Sequence, residues 1–567
     1  MGARIRLIGI FVIAVALVMI ARLYFVQIVH GPTFAGDAER QYINKNTILF
    51  DRGVIYLDSK NGEKVPAAIS RSGFTIAINP NIVVDPTDLL ATLSQFLALD
   101  KDEFFAKANK KDDEYEEVAT HVNNETAEKI KSLNLYGITL ATDKWRFYPG
   151  GKMAAQTVGF VAYNDNELAG RYGLERYYED ILKKDPKSAY NNFFAEFFGD
   201  VKESFSDLPK ESGDLYTSIE PSVQLFLENE LEKVMESWGS DGAGGLVIDP
   251  SSGEIVAISW EPSFDPNNLA GANINEFKNP IVEGVYEMGS IIKPITMAAG
   301  LDAGVVTASS TYYDAGFLVL NNKRISNYDG RGRGMVSMQE VLSQSLNTGA
   351  AYVALKLGND KFAEYMRNFA IDTETGIDLP NETVGLTKNL SSKRDIEMAT
   401  ASYGQGIAMT PIATVRALSV LANGGTLVVP HIVKKIEYDN GLSKKISFAP
   451  GERVISERAS DEITRMLVKV VDTALRDGTA KIPGYSVAAK TGTAQMTNEG
   501  VAGYADGKYL HSFFGYFPAY NPKFLVFLFH IYPKNVKYAS ETLTDPFLNI
   551  TKFLLNYYQI PPDRPEN

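Results

Sequence analysis

The sequence predicts a mixed α/β protein: an antiparallel sheet flanked by helices, preceded by an irregular pedestal domain and a single transmembrane helix. Three observations carry this. β-rich runs stand at 244–260 and 512–533, and the chain between them is mostly helical in pattern. The first thirty residues hold a long uncharged apolar run. Between that run and about Ser212 the chain is polar and mixed, with no sustained periodicity.

The elements follow in order. Arg4 and Arg6 precede an apolar segment from Leu7 to Val29, broken only by Arg22. As a helix it spans roughly 34 Å, enough to cross a bilayer with some tilt. The two arginines hold the N-terminus in the cytoplasm and send the rest of the chain outside, a single-pass arrangement. The segment is too long for a cleaved signal peptide, and no small-x-small site follows it. The charged run "KANKKDDEYEEVATH" that follows at 107–121 reads as a solvated helix face. "PSVQLFLENELEKVMESW" places Val223, Leu227, Leu231 and Met235 on one stripe of an amphipathic helix. "GGLVIDPSSGEIVAISW" reads as a hairpin turning at Asp-Pro-Ser-Ser-Gly, and "SFFGYFPAYNPKFLVFLFHIYP" as another turning at Ala519 to Pro522. An apolar helix from about Pro546 to Tyr558 ends the series. "DGRGRG" at Asp329 to Gly334 reads as a mobile loop. The boundaries are 1–30 for the tail and anchor, 31–212 for the pedestal and 213–567 for the second domain.

Composition narrows the functions. A net charge of −13 and a pI near 5.1 argue against nucleic acid as a partner. Cysteine is absent, which removes disulfides, thiolate metal sites and cysteine nucleophiles and fits an external location. The five histidines (His30, His121, His431, His511, His530) form no i, i+4 pair and no zinc signature. Neither Gly-x-Ser-x-Gly nor a phosphate-binding Gly-x-x-x-x-Gly-Lys-Ser/Thr loop occurs. No metal and no cofactor is expected.

One pattern remains. Ser290 and Lys293 in "YEMGSIIKPIT" are three residues apart, nearly one helical turn, so both rise from the same face. A serine hydroxyl attacks only when a base takes its proton, and lysine serves as that base only when burial or a second cation keeps it neutral. Gly289 permits a sharp entry to a helix and Pro294 is harmless in its first turn. The helix N-terminus presents N–H groups to a developing oxyanion. Alone the pattern is weak, because helix-capping serines followed by lysine are common. Ser345-Leu346-Asn347 follows at a point where a helix is about to end or begin. Lys490-Thr491-Gly492 closes the strand-like "GYSVAA", continues into Thr493, and occurs once. It offers a cation for a carboxylate and a backbone that a ligand can approach closely.

Ser-x-x-Lys, Ser-x-Asn and Lys-Thr-Gly in that order resemble the penicillin-recognising serine acyltransferases. "KTGTAQ", "YEMGSIIKP" and "GEIVAISWEPSFDPN", with "ARLYFVQIVHG", "DRGVIY" and "RYGLERYYEDIL" nearer the N-terminus, are similar to class B penicillin-binding proteins. These are monofunctional peptidoglycan transpeptidases, and the resemblance spans nearly the whole chain. It leans towards the cell-division type. It implies the penicillin-binding transpeptidase fold on a dimerisation-type pedestal, with peptidoglycan stem peptides ending in D-Ala-D-Ala and β-lactam antibiotics as ligands. By the same resemblance Ser290 is the nucleophile, Lys293 the base and Ser345 the proton relay. Asn347 binds the donor amide, and Lys490, Thr491 and Thr493, beside Gly492, bind the terminal carboxylate. The N–H groups of Ser290 and Thr493 form the oxyanion hole. A polytopic glycan polymerase and other division or elongation proteins are the implied partners in the cytoplasmic membrane. Departures are Met288 and Ile291 around the nucleophile, Leu346 in the second motif and Gln156 where many relatives place histidine. Arg52 and Glu175 read as structural residues. A β-lactamase or D,D-carboxypeptidase is the alternative enzyme, and an idle scaffold the alternative outside catalysis. A bifunctional class A enzyme would need a glutamate signature missing from 31–212.

Overall fold

A computed structural model describes residues 51–164, 167–184, 211–449, 451–497 and 503–565, together with Met19. The expected transmembrane segment lies outside these residues apart from Met19. Among the described residues no helix is long and apolar enough to cross a membrane. The chain divides into two compact units. One centres on Ser70–Arg146; the other comprises Gly53–Ile69, Phe147–Leu182 and the described chain beyond 210.

The first unit corrects the expectation of an irregular pedestal. Residues 74–78 of the strand Lys64–Ile78 pair with Glu116–Val122 in antiparallel register, Phe74 opposite Val122 and Ile78 opposite Glu116. Helices Pro86–Leu93, Lys101–Ala108 and Asn124–Ser132 each start on an Asp or Asn cap whose side chain accepts from the first turn. Ile76, Ile78, Leu89, Leu93, Phe104, Val122 and Ile130 form their common core. The run at 107–121 is not a helix face: its first two residues end a helix, a turn follows, and from Glu116 it is strand. Lys110 and Glu116 pair across that turn, a contact that charge counting along a helix does not anticipate.

The second unit carries the expected sheet. Helix α1 (Pro221–Trp238) buries Val223, Leu227 and Leu231, with Met235 partly covered. Strands β1 (Gly242–Ile248) and β2 (Ile255–Glu261) form the first hairpin, closed by Gly253 at φ +86°. Helices α2 (Lys293–Asp302), α3 (Met338–Ser343), α4 (Asn347–Leu357), α5 (Pro411–Ala422) and α6 (Glu457–Lys469) are among those of the helical middle. Strands β3 (Ala488–Thr497), β4 (Tyr504–Phe517) and β5 (Phe524–Ile531) follow, then α7 (Ala539–Thr542) and α8 (Thr544–Tyr557). The sheet is antiparallel in the order β3-β4-β5-β1-β2, so chain ends meet at its centre where β5 pairs with β1.

Side chains on β4 and β5 alternate between two cores, as a strand buried on both faces requires. Phe513, Phe517, Val526 and Leu528 join α1 and α8 on one face, where Phe226 stacks on Phe553 at 4.2 Å. Phe514, Tyr516, Phe527 and Phe529 face α2, α5 and α6 on the other. That second core seats α2, and with it the turn that carries Ser290, against the sheet. In a second sheet Gly213–Thr217 pairs with Ile55–Asp58 in parallel and with Val433–Tyr438 in antiparallel fashion.

Candidate active site

Ser290 sits in a tight turn, Gly289–Ile292, that runs directly into α2 with Pro294 in the helix's first turn. Gly289 has φ +63°, and a Cβ there would stand 2.9 Å from the Thr493 carbonyl oxygen. Only glycine meets both demands. Ile291 and Ile292 are fully buried and pin the turn. The Gly289 N–H donates to the Gly404 carbonyl at 3.2 Å, and the Ser512 hydroxyl on β4 donates to the Met288 carbonyl at 2.9 Å. The serine is thereby held against β3 from both sides.

Lys293, one turn on, is 1% exposed. Its Nζ donates to the Ser345 carbonyl at 2.6 Å and lies 3.1 Å from the Ser345 hydroxyl. Lys490, 4% exposed, reaches the same hydroxyl at 3.2 Å and the Thr491 carbonyl at 3.1 Å. Burial, and then the neighbouring Lys490 charge, pushes the Lys293 amine well below its usual pKa. Burial lowers Lys490 to about 8. Among the described residues no side-chain hydrogen bond joins Ser290 to Lys293, although the Lys293 backbone N–H donates to the Ser290 carbonyl; the amine is turned towards Ser345 instead.

Ser345 itself has φ +52° and breaks the chain between α3 and α4, so the helical stretch both ends and restarts there. Leu346 points inward, fully buried, which is why an apolar residue serves at the middle of this motif. Asn347 donates from Nδ2 to the Ser326 carbonyl at 2.9 Å, leaving its amide oxygen and second N–H for another partner. Thr348 anchors the corner: its hydroxyl donates to buried Asp314 at 2.8 Å, and its N–H to Asn327 at 3.2 Å. Asp314 also accepts from Asn327 Nδ2 and the N–H groups of Gly316 and Arg333. The "DGRGRG" segment is tied into this network, with Arg333 paired to Asp329 at 2.8 Å and Asn327 bonded to the Arg331 carbonyl. A mobile loop is not what these bonds describe.

Lys490, Thr491 and Gly492 lie inside β3 and not at the end of a strand, because the strand begins only at Ala488. β3 is an edge strand. A Cβ on Gly492 would meet the Ser512 hydroxyl at 2.3 Å and the Met288 carbonyl at 2.7 Å, so glycine lets strand and nucleophile turn touch. The Thr493 hydroxyl accepts from the Ala539 N–H at 3.1 Å. Tyr328, next to Asn327, and Tyr538, next to Ala539, meet edge to face at 5.9 Å between ring centroids. This contact joins the Ser345–Asn347 side of the site to the Thr493 side.

The structure thus brings Ser345, Lys293 and Lys490 onto one hydroxyl, sets Gly289 against Thr493, and places Asn347 on the same corner. Sequence reading missed Asp314, Asn327, Glu287 and Tyr504. Half-buried Glu287 accepts from the Gly406 N–H at 2.8 Å and from the Tyr504 hydroxyl at 3.0 Å, and burial raises its carboxyl pKa. Only its place three residues before Ser290 could have marked it. Gln156 is buried and bonds the carbonyls of Pro262 and Glu276, a structural use. Arg52 and Glu175 are both buried.

The arrangement supports acyl transfer: a hydroxyl at a helix start, an amine whose pKa burial lowers, and a second cation on a strand edge open to an extended ligand. The chain matches the penicillin-binding protein transpeptidase domain over residues 243–551 and the penicillin-binding protein dimerisation domain over 47–217. Stage V sporulation protein D of Bacillus subtilis is 31% identical over 96% of this chain and 84% of that protein. The peptidoglycan D,D-transpeptidase FtsI of Buchnera aphidicola (subspecies Schizaphis graminum) is 26% identical over 97% of this chain and 94% of its own. Penicillin-binding protein 2X from Streptococcus thermophilus superposes with a TM-score of 0.71 at 21% identity, covering 90% of this chain and 79% of that one.

Proposed function

Because this chain belongs to the penicillin-binding protein transpeptidase family, we propose that the cluster around Ser345 is the proton-transfer centre of its acyl-transfer reaction. The protein is a peptidoglycan D,D-transpeptidase and a β-lactam target. Ser290 attacks the carbonyl of the penultimate D-alanine, and its proton passes to neutral Lys293. The C–N bond to the terminal D-alanine breaks, and Ser345 hands a proton to the departing amine. A neighbouring strand's amine then attacks the ester, returning Ser290 and forming the crosslink. Asn347 holds the donor amide, and Lys490, Thr491 and Thr493 the terminal carboxylate. The N–H groups of Ser290 and Thr493 receive the oxyanion, which the contact of Gly289 with Thr493 supports.

One observation carries this assignment. Two buried lysines share the Ser345 hydroxyl at 3.1 and 3.2 Å. A structural ion pair would set an acid opposite each amine; here the Lys490 charge disfavours the charged form of Lys293, as a base requires. Water as acceptor would make the same centre a carboxypeptidase. The match to a dimerisation domain over 47–217 favours the transpeptidase.

The catalytic unit lies outside the cytoplasmic membrane, anchored by Leu7–Val29 with Arg4 and Arg6 inside. Along the sequence the pedestal is assigned to 31–212, although its segments 53–69 and 147–182 belong to the same compact unit as the chain beyond 210. A glycan polymerase of the division machinery is the expected partner. The experiment is covalent labelling: a fluorescent penicillin should mark the protein, and Ser290→Ala should remove the gel band at unchanged melting temperature. Peptide mapping of the label to another serine would overturn the assignment. For topology, protease added to spheroplasts should digest the chain beyond Gly31; full protection would refute it.

A further inference from the structure

The sheet hides two histidines that the reaction does not use. His511 on β4 and His530 on β5 are register partners, fully buried, with ring centroids 5.1 Å apart. A buried imidazole costs free energy unless each ring nitrogen finds a partner. All four do. Ser240 Oγ lies 2.7 Å from His530 Nδ1, and His530 Nε2 lies 2.9 Å from Thr542 Oγ1. Thr542 Oγ1 is also 2.9 Å from His511 Nδ1, and His511 Nε2 is 3.0 Å from the Lys537 carbonyl oxygen.

That carbonyl fixes the direction of the whole chain. It can only accept, so His511 carries its hydrogen on Nε2. Burial holds both rings neutral, His511 near pKa 4 and His530 well below its usual value. His511 Nδ1 is then bare and takes the Thr542 hydroxyl hydrogen. The Thr542 oxygen accepts from His530 Nε2, and His530 Nδ1 takes the Ser240 hydrogen. Four bonds run one way, and no donor faces a donor.

The far end reaches the active strand. Lys537 and Ala539 belong to one short segment, and the Ala539 N–H donates to Thr493 Oγ1 at 3.1 Å. Thr493 is the β3 register partner of His511. With its oxygen accepting from behind, the Thr493 hydroxyl has its hydrogen left to donate forward.

We propose that the chain Ser240–His530–Thr542–His511 is a positioning device for Thr493. It clamps the segment from Lys537 to Thr542 so that the Ala539 N–H fixes the Thr493 hydroxyl for donation to the donor strand's carboxylate. This rests on the reading that Thr493 meets that carboxylate, and the test separates the two.

The full-length protein is assayed with a D-alanyl thioester donor ending in a free carboxylate and with the same thioester amidated at that end. The ratio of the two kcat/KM values measures carboxylate recognition. Thr542→Val should lower the ratio roughly tenfold, the loss expected for one mis-set hydrogen bond to a charged group. Thr542→Ser, which keeps the hydroxyl, should restore it. In a Thr493→Val background, Thr542→Val should leave the ratio unchanged. Equal losses on both donors, or additive losses in the double variant, would show a merely structural role and overturn the proposal. If Thr493→Val alone leaves the ratio unchanged, the carboxylate reading itself has failed. Should Thr542→Val not fold, Ser240→Ala runs the same cycle, and its ratio must fall. Nitrogen NMR of histidine-labelled protein must show both His511 and His530 protonated at Nε2; an Nδ1–H form of either breaks the chain.

Discussion

The Lys293 amine donates to the Ser345 carbonyl at 2.6 Å while Ser345's hydroxyl stays within reach at 3.1 Å. The first bond aims the amine; the second gives it a proton partner. Ser345 plays both parts because its carbonyl and its hydroxyl both lie within reach of the one amine. On the proposed mechanism a proton taken from Ser290 by Lys293 has a defined next stop. Lys490, 3.2 Å from the same hydroxyl, keeps Lys293 from holding that proton for long.

The two lysines should separate by substitution. Lys293→Arg keeps the charge, but a guanidinium with a pKa above ~12 cannot act as a neutral base. Acylation by penicillin should fall roughly 10²–10⁴-fold. Lys490→Arg keeps a cation facing a carboxylate and should show a smaller defect, partly as weaker binding. The measurement is the second-order acylation rate with melting temperature as control. Near wild-type acylation by a folded Lys293→Arg protein would rule Lys293 out as base.

The pH–rate profile should be a bell. Acylation needs Lys293 unprotonated, so the rate rises with pH through that group's lowered pKa. It needs Lys490 protonated, so the rate falls again as pH passes about 8. The two titrations are coupled, and the profile reports values belonging to the pair. Lys490→Arg should abolish the alkaline limb, since arginine stays charged throughout. An unchanged alkaline limb in that variant would assign it to another group.

What the sequence made legible was short and contiguous. Ser290 with Lys293, and Lys490 with Thr491 and Gly492, are chemically odd residues set in apolar stretches, and each carries its spacing within four positions. The hairpins and α1 were equally plain, because alternation and a helical stripe are local patterns. Asp314 was invisible: the Thr348 it holds lies 34 residues away. His511 and His530 looked like isolated histidines, since the partner that joins them, Thr542, is an ordinary threonine. In the first unit the strand Glu116–Val122 has no clean alternation, its core being made by elements too short to show a period.

Asp314 should be a stability hub. It is buried and accepts from Thr348, Asn327, Gly316 and Arg333. Asp314→Ala removes the carboxylate acceptor of two backbone N–H groups and two side-chain donors, each costing about 1–3 kcal/mol if left unpaired; the Arg333 N–H keeps the Asp314 main-chain carbonyl, Asn327 Nδ2 the Arg331 carbonyl and the Thr348 hydroxyl Asn327 Oδ1. Relaxation and water return part of that, so a loss of roughly 3 kcal/mol is expected, read as a lower urea midpoint at unchanged slope. Acylation should also slow, because Thr348 no longer fixes Ser345 and Asn347. A midpoint equal to the wild type would show that the corner stands without its carboxylate.

Stability should depend on His511 as pH falls. In the fold its pKa lies at about 4, against 6.5 for the free side chain. Between those values the unfolded chain binds a proton that the folded chain refuses, so unfolding becomes easier as pH drops. The contribution is fully present above pH 6.5 and lost progressively towards pH 4. Its size is about 3 kcal/mol, from a shift of that extent at ~1.36 kcal/mol per unit. His530 works in the same direction, with the neighbouring His511 adding to the effect of burial. His511→Gln keeps an N–H for the Lys537 carbonyl but has nothing to titrate. Its urea midpoint should therefore start lower at pH 7.5 and decline less between pH 6.5 and pH 4.5 than that of the wild type. Parallel declines in the two proteins would mean that His511 takes up no proton on unfolding, and that the buried chain from Ser240 to Lys537 already carries an imidazolium.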